Sequence, residues 1–148
     1  IGVYYLIRWF KSKEQEKEVI NPELLRPADE VALEKLDIIK EQKIWKEGKH
    51  KEYHTQLTDV IREYVSRRYE INSTEKTSDE TLRALKPMFR DQRELFLRLE
   101  KMLQVADLVK FAKWHTTPDE NEQGLLTAYE FVNETKEIIT EEGKEEEV

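Results

Sequence analysis

Apolar positions recur every three to four residues through much of the chain after residue 27. They stand at 32, 33, 36, 39 and 44, and again at 53, 57, 60, 61 and 64. This spacing predicts two amphipathic helices, over about 28–47 and 49–70. Gly48 lies between them and suits the left-handed residue that ends a helix. So short a connection predicts an antiparallel hairpin, with Trp45 packed between its two helices.

Start and stop signals predict three further helices. The sequence TSDE at 77–80 is a capping box, and Pro87 ends the short helix that follows it. A fourth helix is predicted over 89–113, where Phe96, Leu103 and Phe111 widen the apolar face. The sequence TPDE at 117–120 starts the last helix, whose inward face extends to Ile139.

No strand pattern is visible in the sequence. We therefore predict an all-α, single-domain bundle of about five helices over 28–140, beginning with the antiparallel hairpin. The core is expected to contain eight apolar side chains from these helices: Leu36, Leu57, Ile61, Leu99, Met102, Leu103, Val109 and Val132.

The first thirteen residues have a different character. Residues 1–7 are uncharged and apolar or aromatic, and Arg8, Lys11 and Lys13 follow. Seven residues are too few to cross a bilayer, which takes about 20, but the pattern is typical of the cytoplasmic end of a transmembrane helix. The alternative is an amphipathic helix that packs on the domain. We predict a membrane end and basic flank over 1–13, a linker over 14–27, and an acidic tail over 141–148.

Composition narrows the possible functions. The net charge of −7 argues against nonspecific nucleic-acid binding as the main activity. The chain contains no cysteine, which excludes a disulfide framework and a cysteine-based metal site or nucleophile. No glycine-rich phosphate loop or nucleophile elbow is visible.

Three sequence runs carry a resemblance to a known family. They are PADEVALEKLDIIKEQKIWKEGKHKEYHTQLTDVIREYVSRRYEI from residue 27, then EKTSDETL, then ADLVKFAK. In order and spacing they resemble bacterial membrane proteins of Bacteroidetes encoded in the Bacteroides aerotolerance (Bat) operon. The resemblance covers most of 27–113. It implies a transmembrane helix followed by a helical cytoplasmic domain, with MoxR-type ATPases and von Willebrand factor A domain proteins as neighbours. It implies no reaction, catalytic residue or cofactor.

His50 and His54 form the first candidate site. They stand four residues apart, so a helix places them on one face, and two imidazoles at that spacing can chelate zinc. Glu47 is near, and His115 could supply a third ligand. The motif HKEYH lacks the general base of the HExxH metalloproteases. Ordinary surface histidines explain the pair, so we predict no metal site here and keep one as the alternative.

Charged residues provide the second group of candidates. Arg62, Arg67 and Arg68 stand near two tyrosines and could bind an acidic partner, lipid head groups or nucleic acid. Alternatively, they brace the loop before residue 77. Asp107 and Lys110 interrupt the most apolar helix, and a buried charge there needs a partner. We expect Asp107 to pair with an arginine of the second helix.

These observations predict a protein-interaction module that is not an enzyme and uses no cofactor. The resemblance places it at the cytoplasmic side of the inner membrane, in a complex with a MoxR-like ATPase or von Willebrand factor A domain proteins. One alternative is a metal-dependent hydrolase using His50 and His54. Another is a nucleic-acid-binding helical domain using the three arginines.

Overall fold

A computed structural model of the chain describes residues 2–8 and 25–137. All regular structure within these ranges is helical, and residues 2–8 form an exposed helical segment. Residues 25–137 contain five α-helices, which are α1 (Ala28–Gln42), α2 (His50–Tyr69), α3 (Ser78–Leu85), α4 (Arg93–Ala112) and α5 (Pro118–Thr135). The predicted all-α class is confirmed. Most of the predicted linker, the end of the last helix at Ile139 and the acidic tail lie outside the described residues.

The turn between α1 and α2 is longer than predicted. Helix α1 ends at Gln42 because Lys43 adopts a left-handed conformation with φ 47°. A 3-10 turn, Ile44–Glu47, follows, and Gly48 takes the predicted left-handed conformation with φ 82°. This turn lays the half-buried ring of Trp45 edge-on to Tyr53, with 6.5 Å between ring centroids. Trp45 therefore packs against the core, as predicted.

Side-chain caps fix the starts of α3 and α5. The Thr77 hydroxyl accepts a hydrogen bond from the Glu80 amide, and the same hydroxyl donates to the Glu80 carboxylate, so only half of the predicted capping box forms. At Thr117 both halves form, with Pro118 in the first helical position. After α3, Pro87 lies in a 3-10 turn, Lys86–Phe89. The predicted start of α4 at residue 89 is therefore wrong, because that turn delays the helix to Arg93.

Helix α2 lies at the centre of the bundle and packs against α1, α4 and α5. All five helices contribute side chains to one hydrophobic core. The eight side chains predicted to be buried are buried. The prediction for Phe111 is wrong, because this side chain is 82% exposed. It stands on the last turn of α4, where no neighbouring helix in residues 25–137 covers it.

Contacts between helices define two ends of the bundle. Tyr53 bonds to Asn121 and Tyr64 to Thr135, so α2 and α5 run in parallel. The N-termini of α2 and α5 share one end with the α1–α2 turn and the α4–α5 loop, and we call it the loop end. The start of α1 and the end of α5 meet at the opposite end, the terminal end. There residues 25–28 and 136–137 line one cleft of about 520 Å³.

None of the helices in the described part of the chain combines the length and the apolar character that crossing a membrane requires.

Candidate functional site

A buried polar network occupies the loop end. His54 Nε2 lies 2.9 Å from Asn121 Oδ1, and the Thr116 hydroxyl donates to the same oxygen at 2.6 Å. His50 Nδ1 lies 3.1 Å from the Thr116 hydroxyl. The Tyr53 hydroxyl donates to the backbone carbonyl of Asn121 at 2.7 Å. These bonds tie the first turns of α2 to the α4–α5 loop and the first turn of α5.

Local structure explains why these polar groups meet. His50 and His54 stand one turn apart at the start of α2. The capping box at Thr117 fixes the first turn of α5, which holds Asn121 inside the bundle at 0% exposure. A buried amide of this kind must form hydrogen bonds to avoid a large desolvation cost. The two imidazoles and Thr116 supply these partners.

The hydrogen-bond pattern assigns the tautomer of His54. Asn121 Oδ1 only accepts, so Nε2 of His54 carries the proton and donates it. Its Nδ1 is then an acceptor, and this buried atom has no hydrogen-bond partner among the described residues. Burial is the largest influence on the ring and lowers its pKa, while the bond to Asn121 acts in the opposite direction. His54 is therefore held as a neutral base.

Lys110 continues the network toward the surface. Its ammonium donates to the Thr58 hydroxyl at 2.8 Å, and that hydroxyl donates to the His54 carbonyl at 2.9 Å. Burial lowers the pKa of Lys110, the charge of Arg62 lowers it further, and Asp59 and Asp107 raise it. The sequence showed that Lys110 interrupts an apolar helix, but it did not predict this hydrogen bond to Thr58.

The bridge predicted for Asp107 does not form with Arg62 or Arg68. The guanidinium of Arg62 donates to the carbonyls of Ser73 and Lys76 at 3.1 and 2.9 Å and to the Ser78 hydroxyl at 2.8 Å. Arg68 instead donates to a carbonyl of α5 at 2.8 Å. Asp107 is only half-buried, and its negative charge lies near enough to Lys110 to raise the pKa of that ammonium.

The three arginines do not form one surface. Arg62 braces the loop before α3, in agreement with the structural interpretation of the cluster. Arg67 and Arg68 lie at the terminal end, where Arg67 donates to the Arg26 carbonyl. Arg68 donates to the Thr135 carbonyl and pairs with Glu137 at 3.4 Å. The two neighbouring arginines therefore hold the segments that lead into and out of the bundle.

The histidine pair does not have the geometry of an open metal site. His54 Nε2 is used by Asn121, and its other nitrogen is enclosed. The ring of His115 lies edge-on to His50, with 6.4 Å between centroids. Within residues 2–8 and 25–137, no three histidine, aspartate or glutamate side chains are grouped as a metal ion would require. The structure brings His50 and His54 together, but as members of an internal network.

An exposed apolar patch lies at the same end of the bundle as this network. It consists of Leu108, Phe111 and Trp114, which are 47%, 82% and 52% exposed. Leu108 and Phe111 stand three residues apart on α4 and share a face. The amide of Trp114 donates to the Leu108 carbonyl at 3.1 Å, which brings the residue after the helix back to the same turn. Sequence periodicity missed this patch, because it assigned Phe111 to the core.

No family model, curated protein or solved structure matches this chain.

Proposed function

We propose that this chain is the protein-binding helical domain of a bacterial membrane protein and that it binds its partner through the patch Leu108, Phe111 and Trp114. The single observation that supports binding is this patch, because three neighbouring large apolar side chains on a polar chain favour a protein contact. Phe and Trp are also enriched in the centres of protein interfaces.

The surroundings of the patch suit a binding surface. The buried network at the same end of the bundle ties the α4–α5 loop to α5 through Thr116 and Asn121. A surface that is rigid before binding loses less conformational entropy in the complex. We therefore expect a partner to bind the patch without a rearrangement of the bundle.

The position of the patch fits a membrane tether. Helix α1 begins at the terminal end, so a segment leading from residues 1–13 would reach the bundle opposite the patch. The basic residues Arg8, Lys11 and Lys13 after the apolar start favour a cytoplasmic domain at the inner membrane. In this arrangement the patch faces the cytoplasm.

The proposed partner is a Bat-operon neighbour, either the MoxR-like ATPase or a von Willebrand factor A domain protein. This choice rests on the sequence resemblance alone. Tethering would raise the effective concentration of a membrane-bound partner, so weak binding by the isolated domain would suffice.

The two alternatives have less support. A hydrolase that uses His50 and His54 needs an accessible nitrogen on His54, whereas that ring is 1% exposed. The nucleic-acid surface predicted on the arginines of α2 needs those cations to be accessible, whereas Arg62 and Arg68 make several contacts within the protein.

Site-specific photocrosslinking in cells tests the proposal. A photoreactive phenylalanine derivative replaces Phe111 in the full-length protein, and a matched protein carries it at Ile38, which is 49% exposed on α1. We expect capture of the ATPase or the von Willebrand factor A domain protein from position 111 and not from position 38. Equal capture from both positions would contradict the role of the patch. Recovery of neither partner would contradict the proposed complex.

Topology is tested separately with a tag after Val148. Protease access to the tag in spheroplasts, where the outer face of the inner membrane is exposed, would overturn the cytoplasmic placement. Protection in spheroplasts and cleavage after permeabilisation of the inner membrane are the expected results.

A further inference from the structure

A cationic cleft lies beside the start of α4. It has a volume of about 480 Å³ and is formed by the 3-10 turn Lys86–Phe89 and the first turns of α4. Its apolar wall includes Phe89, Phe96 and Leu97, and the last of these is 48% exposed. Cations and exposed apolar surface therefore meet in one concave site.

Lys86, Arg90 and Arg93 supply the cations. All three are exposed, and none forms an ion pair with another residue of the described structure. Arg98 does not line the cleft and binds both Glu94 and Glu130. Glu100 is the one acidic side chain among the residues that line the cleft. The cleft thus carries a local charge of +2 on a chain whose net charge is −7.

We propose that this cleft binds the acidic segment 138–148 of the same chain. That segment, IITEEGKEEEV, contains five glutamates and one lysine, which gives it a charge of −4. It also supplies Ile138 and Ile139 for the apolar wall. Carboxylates on arginine groups beside an apolar surface combine charge-assisted hydrogen bonds with apolar burial.

The last described residues bring the segment near the cleft. Glu137 pairs with Arg68, and the Arg68 guanidinium lies over the ring of Tyr69 at 4.9 Å. The Tyr69 ring in turn lies 5.8 Å from Phe89, which forms part of the cleft wall. Eleven extended residues reach about 36 Å, so the segment is long enough to cross this short distance.

A cleft is better suited to a peptide segment than to a membrane or a nucleic acid. A bilayer surface is broad and cannot enter a concave site. A nucleic acid would meet the negative field of the whole chain. An acidic peptide with apolar side chains complements both the charges and the wall.

The absence of cysteine from the natural sequence allows a single spin label to test this inference. The full chain carries the substitution Gly143→Cys, and a nitroxide is attached to that cysteine. NMR then measures how strongly the nitroxide broadens the signal of each backbone amide. We expect strong broadening of the amides of residues 86–100, with loss of the effect at about 1 M salt, where the Debye length falls to about 3 Å.

Charge variants supply the matched comparison. Lys86→Gln, Arg90→Gln and Arg93→Gln together should abolish the broadening. A control variant makes the same change in net charge at the loop end, through Lys40→Gln, Lys51→Gln and Lys113→Gln. The broadening should remain in this variant. The single variant Arg93→Gln should weaken the broadening, and it replaces the triple variant in the test if that variant does not fold.

Three outcomes would overturn the inference. One is broadening spread over the basic surface of the whole bundle. Another is broadening that the triple variant in the cleft does not change. The third would be seen when ¹⁵N-enriched chains without the nitroxide are mixed with chains that carry it. Broadening of the ¹⁵N-enriched chains would show that the cleft is occupied by the tail of a second copy.

Discussion

At the scale of single residues, His54 shows how a titratable group can serve as a fixed part of a core. The imidazole donates to Asn121 and is enclosed by the loop end. The groups whose charges act on it are His50, Lys110 and Glu120. Because burial dominates these influences, the folded protein binds a proton at His54 less readily than the unfolded chain does.

Stability should therefore fall as the pH is lowered from about 7.5 to about 5.5. The folded-state pKa of His54 lies below its usual value of 6.5. Between the two pKa values the unfolded chain binds more protons, so the stability linked to His54 is complete above about 6.5 and is lost as the pH falls from there through the lower folded-state pKa. Urea unfolding at several pH values measures this change, which we expect to be smaller in His54→Gln.

His115→Gln is the control for this experiment, because His115 is exposed beside the same network. It should retain the fall in stability of the unmodified protein. If His54→Gln retains the full fall as well, the group that titrates in this range lies elsewhere.

Arg62 provides the second prediction at this scale. Arg62→Ala should lower the free energy of unfolding by about 2–3 kcal/mol, because it leaves loop carbonyls without a charged donor. The affected acceptors are Ser73, Lys76 and Ser78. Arg62→Lys should restore only part of the loss, since an ammonium lacks the planar fork of donors. Denaturant unfolding measures both variants.

Arg83→Ala changes an exposed arginine of α3 and should cost less than about 0.5 kcal/mol. A cost this small for Arg62→Ala would show that water replaces the guanidinium in the loop.

Residue roles were only partly predictable. Helical spacing placed His50 and His54 on one face, but it could not identify Asn121 and Thr116 as their partners. These two residues lie more than sixty positions after the histidines in the sequence, and only tertiary packing brings them together. The same limit explains Asp107, whose expected arginine partners are used by the loop and by α5.

At the scale of elements, α4 separates a buried face from an exposed face. Leu99 is fully buried at its centre, whereas Leu97 is 48% exposed two positions away. Leu99→Ala should cost about 2–5 kcal/mol in denaturant unfolding, and Leu97→Ala should cost less than about 0.5 kcal/mol. A cost below about 1 kcal/mol for Leu99→Ala would mean that the two faces are reversed.

Helix ends were predictable where side chains cap them. Thr117 took its predicted capping role and Gly48 its predicted left-handed conformation, because hydroxyl capping and left-handed geometry are local properties. The end of α1 was not predictable, because Lys43 adopts a left-handed conformation that disfavours most side chains. Packing of Trp45 on Tyr53 accompanies this conformation, and that contact depends on α2.

At the scale of the whole molecule, the bundle is organised around α2. This helix packs against α1, α4 and α5, so its central backbone can exchange with solvent only when the core opens. Native-state hydrogen exchange should therefore show the slowest amides between Leu57 and Val65. Amides of the 3-10 turn Ile44–Glu47 should exchange by local opening. Faster exchange in the centre of α2 than in α3 would contradict this organisation.

The all-α class and the shared core followed from the sequence because periodicity decides which face of a helix is buried. The exposed patch and the cationic cleft did not follow from it. Both depend on which helix surfaces remain uncovered after the bundle has formed.

Arg67 and Arg68 determine how the domain would respond to a pulling force. The chain enters and leaves the bundle at the same end, where these neighbouring side chains hold Arg26 and Thr135. A force that pulls these two chain segments apart would therefore act between two neighbouring points of the bundle. Most of the core would not resist it at first. It would meet the two arginines first and then peel α1 and α5 from α2 one turn at a time. Such unzipping breaks contacts one turn at a time, whereas sliding whole helices past one another breaks them together, so the domain would yield readily to a force that pulls the two segments apart.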